Sequence, residues 1–347
     1  MDNGENLSGG QQESDSSAAE EAVSAPERPV RRRSRSRSKA RVERNSKRRW
    51  LFALLAFVIL VGVCVGGYLA YQQITARRVA SENLDQAITL VERADSAVLE
   101  IDEVVRAEVD AELANRAAEA LADVPDAVAD LEEALSLINK ATPDLAENRI
   151  AEAEALEGSA DARLTMLEYA EVILDANVKA ANSIGPANEG WDQVLAAEKT
   201  ADAAVAEYNK LTTEAVKKSK ELSTKASGEI ESGKTKLQEA QDAFAEADFG
   251  PFIAYADAKL AVLELSRKAD DAFLGGEKEE ANKISNQYND AEKKLVEQAK
   301  QLPSSPNAVI AEAYESLAGS ATIDYFDARE KATEADAVLI KVSKPEE

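Results

Sequence analysis

The chain is 347 residues long, carries a net charge of −24, and is 31% charged but only 5% aromatic. It contains no histidine and one cysteine, Cys64, which excludes Ser-His-Asp and Cys-His nucleophilic pairs, imidazole metal ligands and an intrachain disulfide. Ala, Glu, Asp and Lys dominate the C-terminal two thirds, a mixture that builds helices at little cost and sheets poorly.

Residues 1–49 read as a disordered cytoplasmic tail. The first 27 carry seven acids, no base and almost no large apolar side chain. Residues 28–49 reverse the sign, with twelve Lys or Arg against one acid. Within that stretch Arg31, Arg32, Arg33, Arg35, Arg37, Lys47, Arg48 and Arg49 are the candidate contacts for anionic lipid headgroups and the determinants of topology. No aromatic residue is interleaved to stack bases, so nucleic acid is not expected as a partner. Serines 34, 36 and 38 could accept phosphate and weaken the patch.

Residues 50–71, WLFALLAFVILVGVCVGGYLAY, read as one transmembrane signal-anchor helix. Twenty-two residues rise about 33 Å, against a hydrocarbon core of roughly 30 Å. Twelve of them are Leu, Ile, Phe or Val. Trp50, Tyr68 and Tyr71 stand near its ends, where amphipathic rings favour the membrane interface. Eleven bases in the twenty preceding residues predict a cytoplasmic N-terminus and an extracytoplasmic C-terminal domain in a single-pass cell-membrane protein. A cleaved signal peptide is the competing reading, but its apolar region is usually shorter and no clear A-x-A site follows. Gly62 and Gly66 form a G-x-x-x-G, extended by Ala70, the candidate packing face for a homodimer; the bland explanation is that glycine is common in membrane helices.

Residues 72–347 read as an acidic, all-helical domain; from residue 77 onward there are 29 bases against 57 acids. Leu84, Ile88, Val91, Val98, Ile101, Val105 and Val109 recur at helical spacing, so the membrane helix is expected to continue into this region. Later seams are Val128, Leu131, Leu135 and Ile138, then Val205, Tyr208, Ala215, Leu222, Leu237 and Phe244. Pro125, Pro143 and Pro306 are expected in first turns, the last two behind Thr142 and Ser305 as N-caps. Further breaks are expected at Gly185-Pro186, Gly250-Pro251, Gly275-Gly276 and Pro303, which gives seven or eight helices after the membrane.

Internal similarity suggests degenerate repeats. Asp-Ala-Arg/Lys occurs at Asp161–Arg163, Asp257–Lys259 and Asp327–Arg329, and Tyr-Asn at Tyr208-Asn209 and Tyr288-Asn289. In so biased a composition, coincidence is the rival explanation. Residues 228–235, GEIESGKT, match the phosphate-loop pattern formally. The preceding segment is polar and helical rather than an apolar strand, and Glu229 and Glu231 would repel a triphosphate, so the expected role is a helix with small residues tolerated or used for close packing.

The expected architecture is therefore all-α: a single transmembrane helix and an elongated extracytoplasmic helical bundle or hairpin domain, coiled-coil or solenoid-like. No catalytic, cofactor or metal-binding set is assigned. The expected function is a non-enzymatic cell-envelope scaffold that binds protein partners through its helices. The alternative is a sensor or receptor signalling through the anchor and basic tail, and a third reading is an enzyme using carboxylates alone.

Overall fold

The computed structural model describes residues 42–343 of the chain, and the side chains of 54–342. Among the described residues the protein is all-helical. The helices are α1 (Val42–Val105), α2 (Leu113–Ala141), α3 (Glu147–Tyr208), α4 (Thr213–Ala243), α5 (Gly250–Leu274), α6 (Lys278–Ala299) and α7 (Pro306–Ser343), with a 3-10 turn at Thr142–Asp144. The chain divides into two units, residues 1–67 and 68–347.

In the first unit, the described part of α1 buries nothing. Leu55, Phe57, Ile59, Leu60 and Val63 are all more than half exposed, and Cys64 is exposed as a free thiol. One helix among the described residues is long and apolar enough to cross a membrane.

The second unit has two hydrophobic cores. The first gathers Leu84 to Val105 of α1, Leu113 to Ile138 of α2, Ala153 to Ala181 of α3 and Ala318 to Ala332 of α7. The second gathers Ala180 to Ala201 of α3 with α4, α5, Leu295 of α6 and Val309 to Ala313 of α7. The 62-residue α3 thus serves both cores, and Tyr314 and Leu317 of α7 pack against both. Most core positions are alanine, which lets helix axes come close but buries little area for each residue. The fully buried phenylalanines, Phe244, Phe249 and Phe252, all lie in the second core, while Tyr325 and most of the large buried aliphatic side chains lie in the first. Trp191 packs edge-on against Phe252 and Tyr255, with ring centroids 4.8 and 5.8 Å away.

The helical seams read from the sequence lie inward. Leu84, Val91, Val98, Ile101 and Val105 are buried, as are Leu131, Ile138, Ala215, Leu237 and Phe244, while Ile88, Val109, Val128 and Leu135 are half-buried. Ser305 caps α7, its Oγ accepting from the Ala308 N–H at 3.1 Å, and Pro306 is the first residue of that helix. Gly250-Pro251 opens α5. Gly275-Gly276 closes it, with Gly276 at φ +80°, a conformation that glycine reaches without steric cost.

Three expected boundaries are corrected. Pro125 is the thirteenth residue of α2 rather than a first-turn residue, and Gly185-Pro186 lies inside α3. Each proline lacks one backbone donor, but Pro125 is exposed, as is Asn182, whose carbonyl Pro186 leaves unpaired. The buried stripe on the opposite face continues through both positions, so packing carries the helix past the local fault. Thr142 does not cap a long helix: its hydroxyl donates back to the Ile138 carbonyl at 2.8 Å, ending α2, and Pro143 sits in the 3-10 turn. With α3 unbroken, the described residues beyond position 71 form seven α-helices, the continuation of α1 included, the lower of the seven or eight expected.

The formal phosphate-loop segment is the middle of α4, and its two glycines differ. A Cβ on Gly228 would meet nothing within 4 Å, whereas one on Gly233 would stand 2.6 Å from the Gly190 carbonyl oxygen of α3. A Cβ on Gly190 would stand 2.7 Å from the Gly233 carbonyl oxygen in return. The two glycines therefore set the α3–α4 crossing. Lys234 pairs with Asp257 of α5 at 2.5 Å, and the Thr235 hydroxyl donates to the Glu231 carbonyl. Gly233→Ala and Gly190→Ala are each expected to destabilise the protein by about 1–3 kcal/mol through backbone overpacking. Gly228→Ala should instead stabilise it by about 0.5–1 kcal/mol. Urea unfolding of the full chain in detergent checks the opposite signs.

Candidate functional site

The three predicted packing residues, Gly62, Gly66 and Ala70, are exposed and fall on one face of α1 at four-residue steps. Nothing lies within 4 Å of a Cβ built on either glycine. Tyr68 and Tyr71 are exposed at 62% and 68%. Arg31, Arg32, Arg33, Arg35 and Arg37 lie outside the described residues, and so do the side chains of Lys47, Arg48, Arg49 and Trp50.

The repeated Asp-Ala-Arg/Lys tripeptides converge on one role that periodicity alone does not reveal: their basic residues tie helices together. Arg163 of α3 is buried and holds Asp336 of α7 through two parallel bonds of 2.8 and 2.9 Å. Its Nε donates to Asp95 of α1. Ser159, one turn earlier, donates to the same Asp336 at 2.8 Å. Arg329 of α7 donates to Asp102 of α1 at 2.7 Å, and the buried Tyr325, one turn before it, donates to Asp102 at 2.9 Å. Arg106 completes that cluster at 3.0 Å. The buried Lys259 of α5 pairs with Glu292 of α6 at 3.0 Å. Burial, with the adjacent Asp102 charge, pushes the Tyr325 hydroxyl well above its ordinary range, which keeps it a donor. The groove over this cluster, about 320 Å³, is lined by the same paired groups together with Leu99 and Met166. Its charged groups are paired with one another.

The two Tyr-Asn dipeptides meet directly. Tyr208, Asn209, Tyr288 and Asn289 line one small cavity of about 100 Å³, with Ser266 and Ser285. The Tyr208 and Ser285 hydroxyls are 3.2 Å apart, and Tyr288 donates to Glu292 at 3.0 Å. Beside this cavity α4 and α5 close on small polar side chains: Ser223 and Ser266 pair at 3.1 Å, and one turn along each helix Ser219 faces Asp270. Asp270 is fully buried, and neither its oxygens nor Ser219 Oγ completes a hydrogen bond. Burial pushes its carboxyl up to about 7, the neighbouring Asp271 adding to the rise while Ser219 and Lys220 oppose it. Asp270 does not stand out in the sequence, because acids are everywhere in this chain. Its one legible signal is its place on the inward stripe of α5, four residues after Ser266.

No family model, curated protein or solved structure matches the chain.

Asp270 makes a prediction with a definite sign. A carboxyl that holds its proton to about 7 when folded, against an ordinary value of 3.8, makes the folded state bind more protons across that interval. Stability should therefore fall as pH rises from about 4 to about 7, by on the order of a few kcal/mol, and level off above. Asp270→Asn is expected to flatten this slope and to unfold at higher urea than the unsubstituted protein at pH 8. Urea midpoints at pH 5 and pH 8 measure it, and parallel slopes for the two proteins would refute the assignment.

Proposed function

We propose that the chain is a single-pass, membrane-anchored scaffold that presents a helical, extracytoplasmic protein-interaction module and catalyses no reaction. The observation that carries this reading is the contrast between its two units. Every described apolar side chain from Leu54 to Tyr71 is exposed, a condition that water penalises and a bilayer satisfies. From Ala80 onward the inward apolar residues are covered by their own helices. The residues beyond the anchor thus form a domain that needs no lipid around it. The basic stretch before Trp50 sets the N-terminus in the cytoplasm and contacts anionic lipid, and the exposed Gly62, Gly66 and Ala70 supply a face for a homodimer.

The polar interior supports a structural role for the chemistry-bearing side chains. Arg163, Arg329 and Lys259 are each committed to carboxylates on neighbouring helices. Partners are accordingly expected on the outer helical surfaces, as proteins rather than nucleic acid, since the domain's acidic charge repels polyanions.

A sensor reading draws on Asp270, a buried group poised to change charge near neutrality. In that case the cytoplasmic tail would recruit the output partner. Pull-downs from membranes with the full chain and with residues 1–49 deleted separate the two readings. The scaffold keeps its partners without the tail, and the sensor loses one.

Two further outcomes are expected. Protease added to intact cells should digest the acidic domain and spare the tail; protection of the domain would reverse the topology. Replacing Gly62 and Gly66 together by Leu should lower crosslinking between copies at least several-fold, and unchanged crosslinking would dismiss the pairing face.

A further inference from the structure

The small cavity walled by the two Tyr-Asn dipeptides lies wholly in the second unit. α3 supplies Tyr208 and Asn209, α6 supplies Ser285, Tyr288 and Asn289, and α5 supplies Ser266. On each helix the lining spans no more than about 6 Å of rise, roughly one turn. The 3.2 Å contact between the Tyr208 and Ser285 hydroxyls ties the α3 and α6 turns to each other. Three single turns of helix thus converge on one space of about 100 Å³.

The hydrogen-bonding capacity left over in this cavity selects a class of ligand. Ser285 donates its only hydroxyl proton to the Ala281 carbonyl at 2.8 Å, so the proton between Tyr208 and Ser285 comes from Tyr208. Tyr288 donates its own proton to Glu292 at 3.0 Å. Both tyrosine oxygens are therefore left as acceptors. Asn209 and Asn289 are exposed, and neither carboxamide makes a hydrogen bond among the described residues, so each brings free N–H donors. A ligand that satisfies the cavity must donate to the tyrosines and accept from the asparagines. A carboxylate or phosphate only accepts and an ammonium only donates, whereas a neutral hydroxyl does both. No lining residue carries a formal charge, and Glu292 beside Tyr288 is already paired with Lys259 at 3.0 Å.

Val205, Ala269 and the tyrosine rings add apolar surface between these polar groups. The matching ligand combines C–H faces with O–H groups, as a sugar ring does. The cavity holds the volume of about three waters at roughly 30 Å³ each, which admits one edge of such a ring and leaves the rest over the exposed asparagines. We infer that this cavity binds one neutral pyranose unit by a vicinal-diol edge, the ligand hydroxyls donating to Tyr208 and Tyr288 and accepting from Asn209 and Asn289. Binding is independent of whether α1 crosses a membrane, since every residue involved lies in the second unit. It gives the helical module a small-molecule ligand in addition to its protein partners.

The test titrates the full-length protein, in a detergent without sugar headgroups, with D-glucose, D-galactose, D-mannose or N-acetyl-D-glucosamine, followed by saturation-transfer-difference NMR. At least one of the four is expected to bind with a millimolar Kd. Asn209→Ala and Asn289→Ala should each weaken that sugar about tenfold, with circular dichroism and the urea midpoint unchanged. Asn286→Ala, exposed on α6 outside the lining, should leave the affinity intact. Acetate, methylammonium and acetamide are the anionic, cationic and amide probes, and each is expected to bind several-fold more weakly than the best sugar. Absence of binding by all four sugars at about 50 mM overturns the proposal. Equal or tighter binding of acetate or methylammonium overturns it too, and tighter binding of acetamide replaces the sugar by an amide ligand. Sugar affinity that survives both asparagine variants, or that falls equally in Asn286→Ala, removes the site from this cavity.

Discussion

Arg163 holds α1, α3 and α7 to one register, and the first core depends on that register. Its guanidinium grips Asp336 with two parallel bonds while a third nitrogen reaches Asp95. A planar fork of fixed geometry tolerates little sliding, so a shift of α7 along α3 would break both Asp336 bonds together. This matters because half of the buried residues in the surrounding core are alanine. Alanine surfaces are smooth and nearly equivalent at successive turns, so hydrophobic burial alone sets the helix register weakly. The buried ion pairs supply the discrimination that the apolar residues lack, at the cost of desolvating the charges.

A second register lock stands seven residues further along α1. Asp102 collects Arg329, Tyr325 and Arg106, and Arg329 and Asp336 are themselves seven apart on α7. Since Asp95 joins Asp336 through Arg163 and Asp102 joins Arg329, α1 and α7 must run antiparallel. In the second core the equivalent task falls to steric contact: Gly190 and Gly233 bring two backbones together where no side chain fits. The same helix, α3, carries a charge lock in one core and a glycine crossing in the other.

The repeated tripeptides gain a physical meaning from this arrangement. Arg163, Lys259 and Arg329 occupy equivalent places in their motifs, and each links its helix to a carboxylate on another. The two Tyr-Asn dipeptides, 80 residues apart in sequence, wall a single cavity. Similarity in sequence here accompanies similarity of structural task, with an alanine beside each basic residue to admit the neighbouring helix. Asp270 departs from this economy as a buried carboxyl that faces Ser219 but completes no hydrogen bond among the described residues, one turn from the Ser223–Ser266 contact of α4 and α5.

Composition and spacing by themselves determined the helical class, the apolar run at residues 50–71, the inward seams from Leu84 to Phe244, the cap at Ser305 and the break at Gly275-Gly276. These follow from local rules, since a periodicity of 3.6 residues and a left-handed glycine need no knowledge of distant parts of the chain. Tertiary structure alone decided that α2 and α3 run through Pro125 and Pro186, because burial along their inner faces outweighs one missing hydrogen bond at each. It also decided which of the 57 acids beyond residue 76 matter. Asp95, Asp102, Asp270 and Asp336 are indistinguishable from their neighbours in sequence, and only packing withdraws them from water or sets a guanidinium against them. A charged side chain acquires its energetic role from the dielectric and the partners around it, and in this fold both come from helices far away along the chain.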